Sequence, residues 1–246
     1  MKRLYEKSEI LFAILWIAAY CVLLSAGDGL SASVGVEKIF TLPIGILLSV
    51  ILTVFFYKNG LFRKYGLCRS SASARSMLYY LPLLLLLTAN LWFGVRMNYG
   101  GTETALYIGS MLCVGFLEEI IFRGLLFNAM RGDNPRLAVA VSSITFGIGH
   151  IINLINGSGA ELIPNLLQVV YATAAGFMFT MIYLRSDSLT VCIVAHGVFN
   201  ALSAFAISPE GMTERVLSCI ALTVISIGYA WYIAKAICSK RDVDGL

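Results

Sequence analysis

The sequence predicts an all-α membrane protein: one bundle of about eight transmembrane helices, with both termini in the cytoplasm. Three observations carry this. Apolar residues make up 59% of the 246-residue chain and charged residues 13%, with a mean hydropathy of +0.82. Soluble domains average about 45–50% and about 25% respectively. The apolar residues also gather into eight runs near the roughly 20 residues that one crossing needs. Finally, Lys and Arg concentrate in alternate loops. Disordered chains, coiled coils and ordinary soluble enzymes are excluded. A net charge of +4 gives no surface for nucleic acid.

The first run, 9–26, follows Lys2, Arg3 and Lys7 and reads as an uncleaved signal anchor, although Ser25-Ala26 resembles a weak cleavage region. The next two, 39–57 and 77–95, carry Pro43 and Pro82 near their starts, where a missing N–H costs least. The remaining five are 104–129, 136–152, 162–184, 189–207 and 214–237. Only helices or closed barrels satisfy the backbone in lipid, and these runs are too long and too continuous for barrel strands. With the N-terminus inside and eight crossings, fourteen Lys and Arg residues fall inside. Lys38, Arg96 and Arg215 fall outside, and Arg123 lies within a span. The inner loop at 58–76 holds five positive charges and no negative ones, which enforces this orientation and faces the lipid headgroups. Gly157, Ser158 and Gly159 read as a flexible outer turn. No C-x-x-C pair occurs among the six cysteines, so neither a disulfide framework nor a zinc knuckle is indicated. Residues 1–246 form one membrane-embedded domain, with its chemistry in a core at about 104–207.

Ionisable groups inside spans are costly, about 2.5–3.5 kcal/mol each at the centre on insertion scales, and mark functional sites. The fourth run contains Glu118, Glu119 and Arg123; the fifth contains His150; the seventh contains His196 and Asn200. The chain has two histidines, and both are in this set. Glu119 and Arg123, four apart, share a helix face and pair, which leaves Glu118 free to act as a general base. His196 and Asn200 likewise share a face. At about 1.5 Å per residue, Glu118 and His196 reach a similar depth, slightly toward the cytoplasm, whereas His150 comes out somewhat too far out. A carboxylate, two imidazoles and an amide can activate water and stabilise an oxyanion. Glu118, His150 and His196 are also a possible zinc-ligand set. Proton or ion translocation by a small carrier, and a non-catalytic scaffold, are the competing readings.

The same residues resemble a known family, the CAAX prenyl endopeptidases and bacterial CPBP (Abi) intramembrane proteases. Its pattern E-E-x-x-x-R, F-x-x-x-H and H-x-x-x-N is met in order by Glu118-Glu119-x-x-x-Arg123, Phe146-x-x-x-His150 and His196-x-x-x-Asn200. The resemblance implies a conical cavity open to the cytoplasm. It implies that Glu118 and His150 activate the hydrolytic water, that His196 and Asn200 form the oxyanion site, and that Glu119, Arg123 and Phe146 orient it. It further implies a membrane-associated or lipidated peptide substrate among membrane lipids, in a bacterial plasma membrane, with peptide processing or bacteriocin self-immunity as the role. The glutamate–water mechanism requires no cofactor; zinc remains the alternative.

Overall fold

The computed structural model describes residues 1–78, 81–156 and 159–244, with side chains through residue 236. Gly157 and Ser158 of the expected outer turn lie outside the described residues. The described residues contain no strand, only one isolated antiparallel bridge between Val95 and Ala206.

Helix α1 spans Glu9–Val34. Ser8 starts it, its hydroxyl accepting from Leu11 N–H at 3.1 Å, and Gly35 stops it in the left-handed conformation at φ 69°. The helix outruns its apolar window because Asp28 is neutralised. Asp28 Oδ1 accepts from Lys38 Nζ at 2.8 Å and from the Thr41 hydroxyl at 2.6 Å. Helix α2 spans Thr41–Asn59.

The expected third span is not one continuous helix. A single turn at Ala74–Met77 precedes α3, Pro82–Leu87, and then a 3-10 turn at Ala89–Leu91. Pro82 opens α3 because proline has no N–H to offer an earlier carbonyl. Asn90 spends its amide on Phe199 O at 2.6 Å, and Gly94 takes φ 114°. Hydropathy measures apolar length and is blind to these breaks.

Helix α4 spans Gly101–Met130, α5 Pro135–Gly149, α6 Leu162–Ser186, α7 Thr190–Leu202 and α8 Met212–Asp244. Six helical stretches, in α1, α2, α4, α5, α6 and α8, are long and apolar enough to cross a membrane, and α7 is a shorter apolar helix. The protein is an integral membrane protein. Helix α6 packs on α8 and α5, while α4 packs on α7 and α2.

Loops tie the bundle at both ends. At one end, Leu189 N–H donates to Gly66 O at 2.8 Å and Ser71 N–H to Ser186 O at 2.7 Å. Gly66 is required there: its φ is 70°, and a Cβ would sit 2.5 Å from the Tyr183 ring. At the other end, Arg96 N–H donates to Phe205 O at 2.9 Å and Glu37 N–H to Glu103 Oε1 at 2.9 Å. The broken third stretch therefore still runs from one end to the other.

Inside α4, residues Glu119–Phe127 widen into a π-helix, and all nine are buried. Side chains take up carbonyls of this widened segment. Asn128 Nδ2 donates to Arg123 O at 3.1 Å and Gly124 O at 2.7 Å, and the Ser142 hydroxyl donates to Phe122 O at 2.8 Å. Such segments are rare and occur frequently at functional sites.

Candidate active site

Two adjacent glutamates have opposite surroundings. Glu119 is 0% exposed and Glu118 8% exposed. Glu119 Oε1 accepts from Arg123 Nη1 at 3.0 Å and from His196 Nδ1 at 2.8 Å. The carboxylate accepts, so Nδ1 carries the proton of that bond. The ring is thereby held with Nε2 turned to Glu118 Oε2, 3.4 Å away. Glu119 is thus shared between Arg123 and His196, beyond the simple pair that the four-residue spacing predicts. Arg123, also 0% exposed, lays its guanidinium over the Phe146 ring at 4.1 Å. Phe146 meets His196 edge-on at 5.6 Å, and Phe179 stacks on His196 at 5.6 Å. Phe146 accordingly braces both a cation and an imidazole.

Close backbone approach makes these contacts possible. A Cβ on Gly115 of α4 would fall 2.5 Å from Gly197 N of α7. Small residues at such a crossing let membrane helices approach, and the approach brings His196 onto the glutamate pair.

Glu118, Phe146, His150 and Asn200 line one cavity of about 590 Å³. His196 lines a smaller apolar pocket beside it, together with His150 and Asn200. His150 begins the 3-10 turn after α5. Its Nδ1 donates to Phe146 O at 3.1 Å, which leaves Nε2 unengaged in that bond. Its own carbonyl accepts from Asn165 Nδ2 at 2.9 Å. The cavity also reaches beyond His150 to Asn153 and Asn156, so the outward depth of His150 is no obstacle to its sharing a space with Glu118.

Two residues escaped sequence reasoning. Tyr20, on α1, donates its hydroxyl to Glu118 Oε1 at 2.7 Å. Nothing in an apolar run with one tyrosine signals that role. Asn165, buried at the start of α6, was one polar residue among several.

Among the described residues, no group of three or more His, Cys, Asp or Glu side chains is arranged to hold a metal ion. His196 Nδ1 is engaged by Glu119 and His150 Nδ1 by Phe146 O, so Nε2 is the atom each ring would offer to a metal.

Residues 100–202, less than half of the chain, match the family described as Type II CAAX prenyl endopeptidase Rce1-like. That segment is similar to the CPBP/CAAX family. It contains all seven residues of the three motifs and begins with α4. A curated relative, "Putative membrane peptidase YdiL" of Bacillus subtilis (strain 168), is 35% identical over 85 residues, which are 34% of this chain. The match spans 30% of that relative's length. Tyr20 lies outside the CPBP segment.

Proposed function

We propose that the protein is an intramembrane endopeptidase that hydrolyses a peptide bond in a membrane-associated or lipidated polypeptide, and that it works in a bacterial plasma membrane. One observation carries the reading. Glu118 faces a cavity of about 590 Å³, and among the described residues its buried Oε2 makes no hydrogen bond, with His196 Nε2 at 3.4 Å as its neighbour. A buried carboxylate oxygen without a partner is costly unless something uses it. Here a water is the natural user.

In this reading Glu118, helped by His150 Nε2, takes a proton from water while the water oxygen attacks the peptide carbonyl carbon. The Asn200 amide, and His196 through Nε2–H in its imidazolium form, stabilise the oxyanion. Collapse breaks the C–N bond, and Glu118 returns the proton to the departing amine. Glu119 and Arg123 hold the His196 ring. The step as written uses no metal.

Cleavage of a quenched fluorescent lipidated-peptide library by purified protein in detergent tests this. Wild type should cleave, and Glu118→Gln should lose about 10²–10⁴-fold in rate while eluting and melting as a folded protein. Equal cleavage by both overturns the assignment of Glu118. Loss in a chelator with recovery on zinc overturns the metal-free route.

A further inference from the structure

We infer that the cavity opens on the extracytoplasmic side of the membrane, so that the peptide it takes is the extracytoplasmic segment of a membrane-anchored polypeptide. The inference rests on reading this cavity as the peptidase site. It departs from the cytoplasmic opening that the family resemblance implies.

The outer walls of the cavity come from the same end of each helix that lines it. Helix α1 gives Asp28 from its last turns, and α2 gives Thr41, its first residue. Helix α4 gives Tyr107 from its first half, α6 gives Gln168 from its own, and α7 gives Asn200 near its finish. The loops that complete the lining supply Lys38 and Ser208. The opposite end carries the loop at 58–76 and the turns holding Arg131, Arg136 and Arg185. Among the described residues, large buried side chains separate Glu118 from that end. Glu119–Phe127 is wholly buried, and Phe12, Phe56 and Tyr65 beneath it are at most 1% exposed.

The charge count then assigns the sides. The plugged end and its loops hold fourteen of the Lys and Arg residues, and the cavity end holds three, Lys38, Arg96 and Arg215. The excess of Lys and Arg marks the cytoplasmic side, so the open end faces outward. Around the mouth those three cations meet six acids, Asp28, Glu37, Glu103, Glu161, Glu210 and Glu214. This balance favours a neutral or cationic peptide segment over an acidic one.

Cysteine labelling in expressing spheroplasts tests the sidedness without requiring cleavage. The full chain keeps its native cysteines, and label is scored as the increment over the parent. The reagent is a membrane-impermeant charged maleimide. Ser208→Cys at the mouth should gain label in intact spheroplasts, and Ser70→Cys in the basic loop only after permeabilisation. The reverse pattern overturns the inference, as does equal labelling of both in intact spheroplasts. Ser208→Cys left unlabelled even after permeabilisation also overturns it, since the mouth would then be closed. Glu118→Gln, labelled in parallel, should show the same pattern. Lost cleavage would therefore speak only to the peptidase reading, and an altered pattern only to the sidedness.

Discussion

Toward its basic loops the bundle is solid, and toward the opposite loops the same helices enclose about 590 Å³. The solid half is built from large side chains. Phe12, Phe56, Tyr65, Ile120, Ile121 and Phe127 are all within 1% of full burial. Its loops are stitched by backbone hydrogen bonds, and burial pushes the Tyr65 phenol well above its usual range. The hollow half is lined by polar residues drawn from at least six elements. The boundary falls between two consecutive residues: Glu118 looks into the cavity, while Glu119 is sealed in the solid half with Arg123 and His196. The tandem glutamates are thus two parts with different tasks. One faces the cavity, and its neighbour anchors the imidazole that faces it.

Breaking the boundary from the solid side should have the largest effect on stability. Arg123→Met leaves the Glu119 carboxylate buried with His196 alone, and losing one partner of a buried pair costs about 3–5 kcal/mol. A large drop in Tm in detergent should accompany lost cleavage, and an unchanged Tm would deny the anchor role. On the hollow side, Tyr20→Phe removes one hydrogen bond to a carboxylate, worth about 1.5–3 kcal/mol. Turnover should fall at least about tenfold, with a moderate fall in Tm; a fall in Tm without a fall in kcat would make Tyr20 purely structural. Gly115→Ala forces α4 from α7, and overpacking of this kind costs about 1–3 kcal/mol. Here Tm and cleavage should fall together, and a neutral result would mean the crossing can yield. The smallest effect belongs to the half-exposed pair of Lys64 and Glu9 at the basic surface. Glu9→Gln should cost at most about 1 kcal/mol, with no effect on cleavage.

Much of this was legible in the sequence. Charged and polar residues inside apolar runs announce themselves, so Glu118, Glu119, Arg123, His150, His196 and Asn200 could all be named. The i,i+4 spacing anticipated the Glu119–Arg123 contact, because a helix face is a local property. The contact from Glu119 to His196 spans 77 residues of sequence and depends on how α4 and α7 cross, which periodicity does not encode. The π-widening after Glu118 was equally hidden, since its carbonyls are served by Asn128 and Ser142 from elsewhere. Apolar length overstated the third run as a single helix, because Pro82, Asn90 and Gly94 break it without lowering its hydropathy. Two histidines and a carboxylate allowed a zinc reading from the sequence, and spacing alone could not say how their ring nitrogens would be directed.

The hydrogen bond from Tyr20 to Glu118 has a consequence for how such proteins are inherited and recombined. The stretch that matches the CPBP/CAAX family begins at residue 100, yet one donor to its foremost carboxylate comes from a helix that ends at Val34. The recognisable module is therefore not autonomous. Its foremost carboxylate is held by a leading segment that carries none of the three motifs. Under the proposed peptidase reading, a chimaera that exchanges that segment would change turnover without touching a motif.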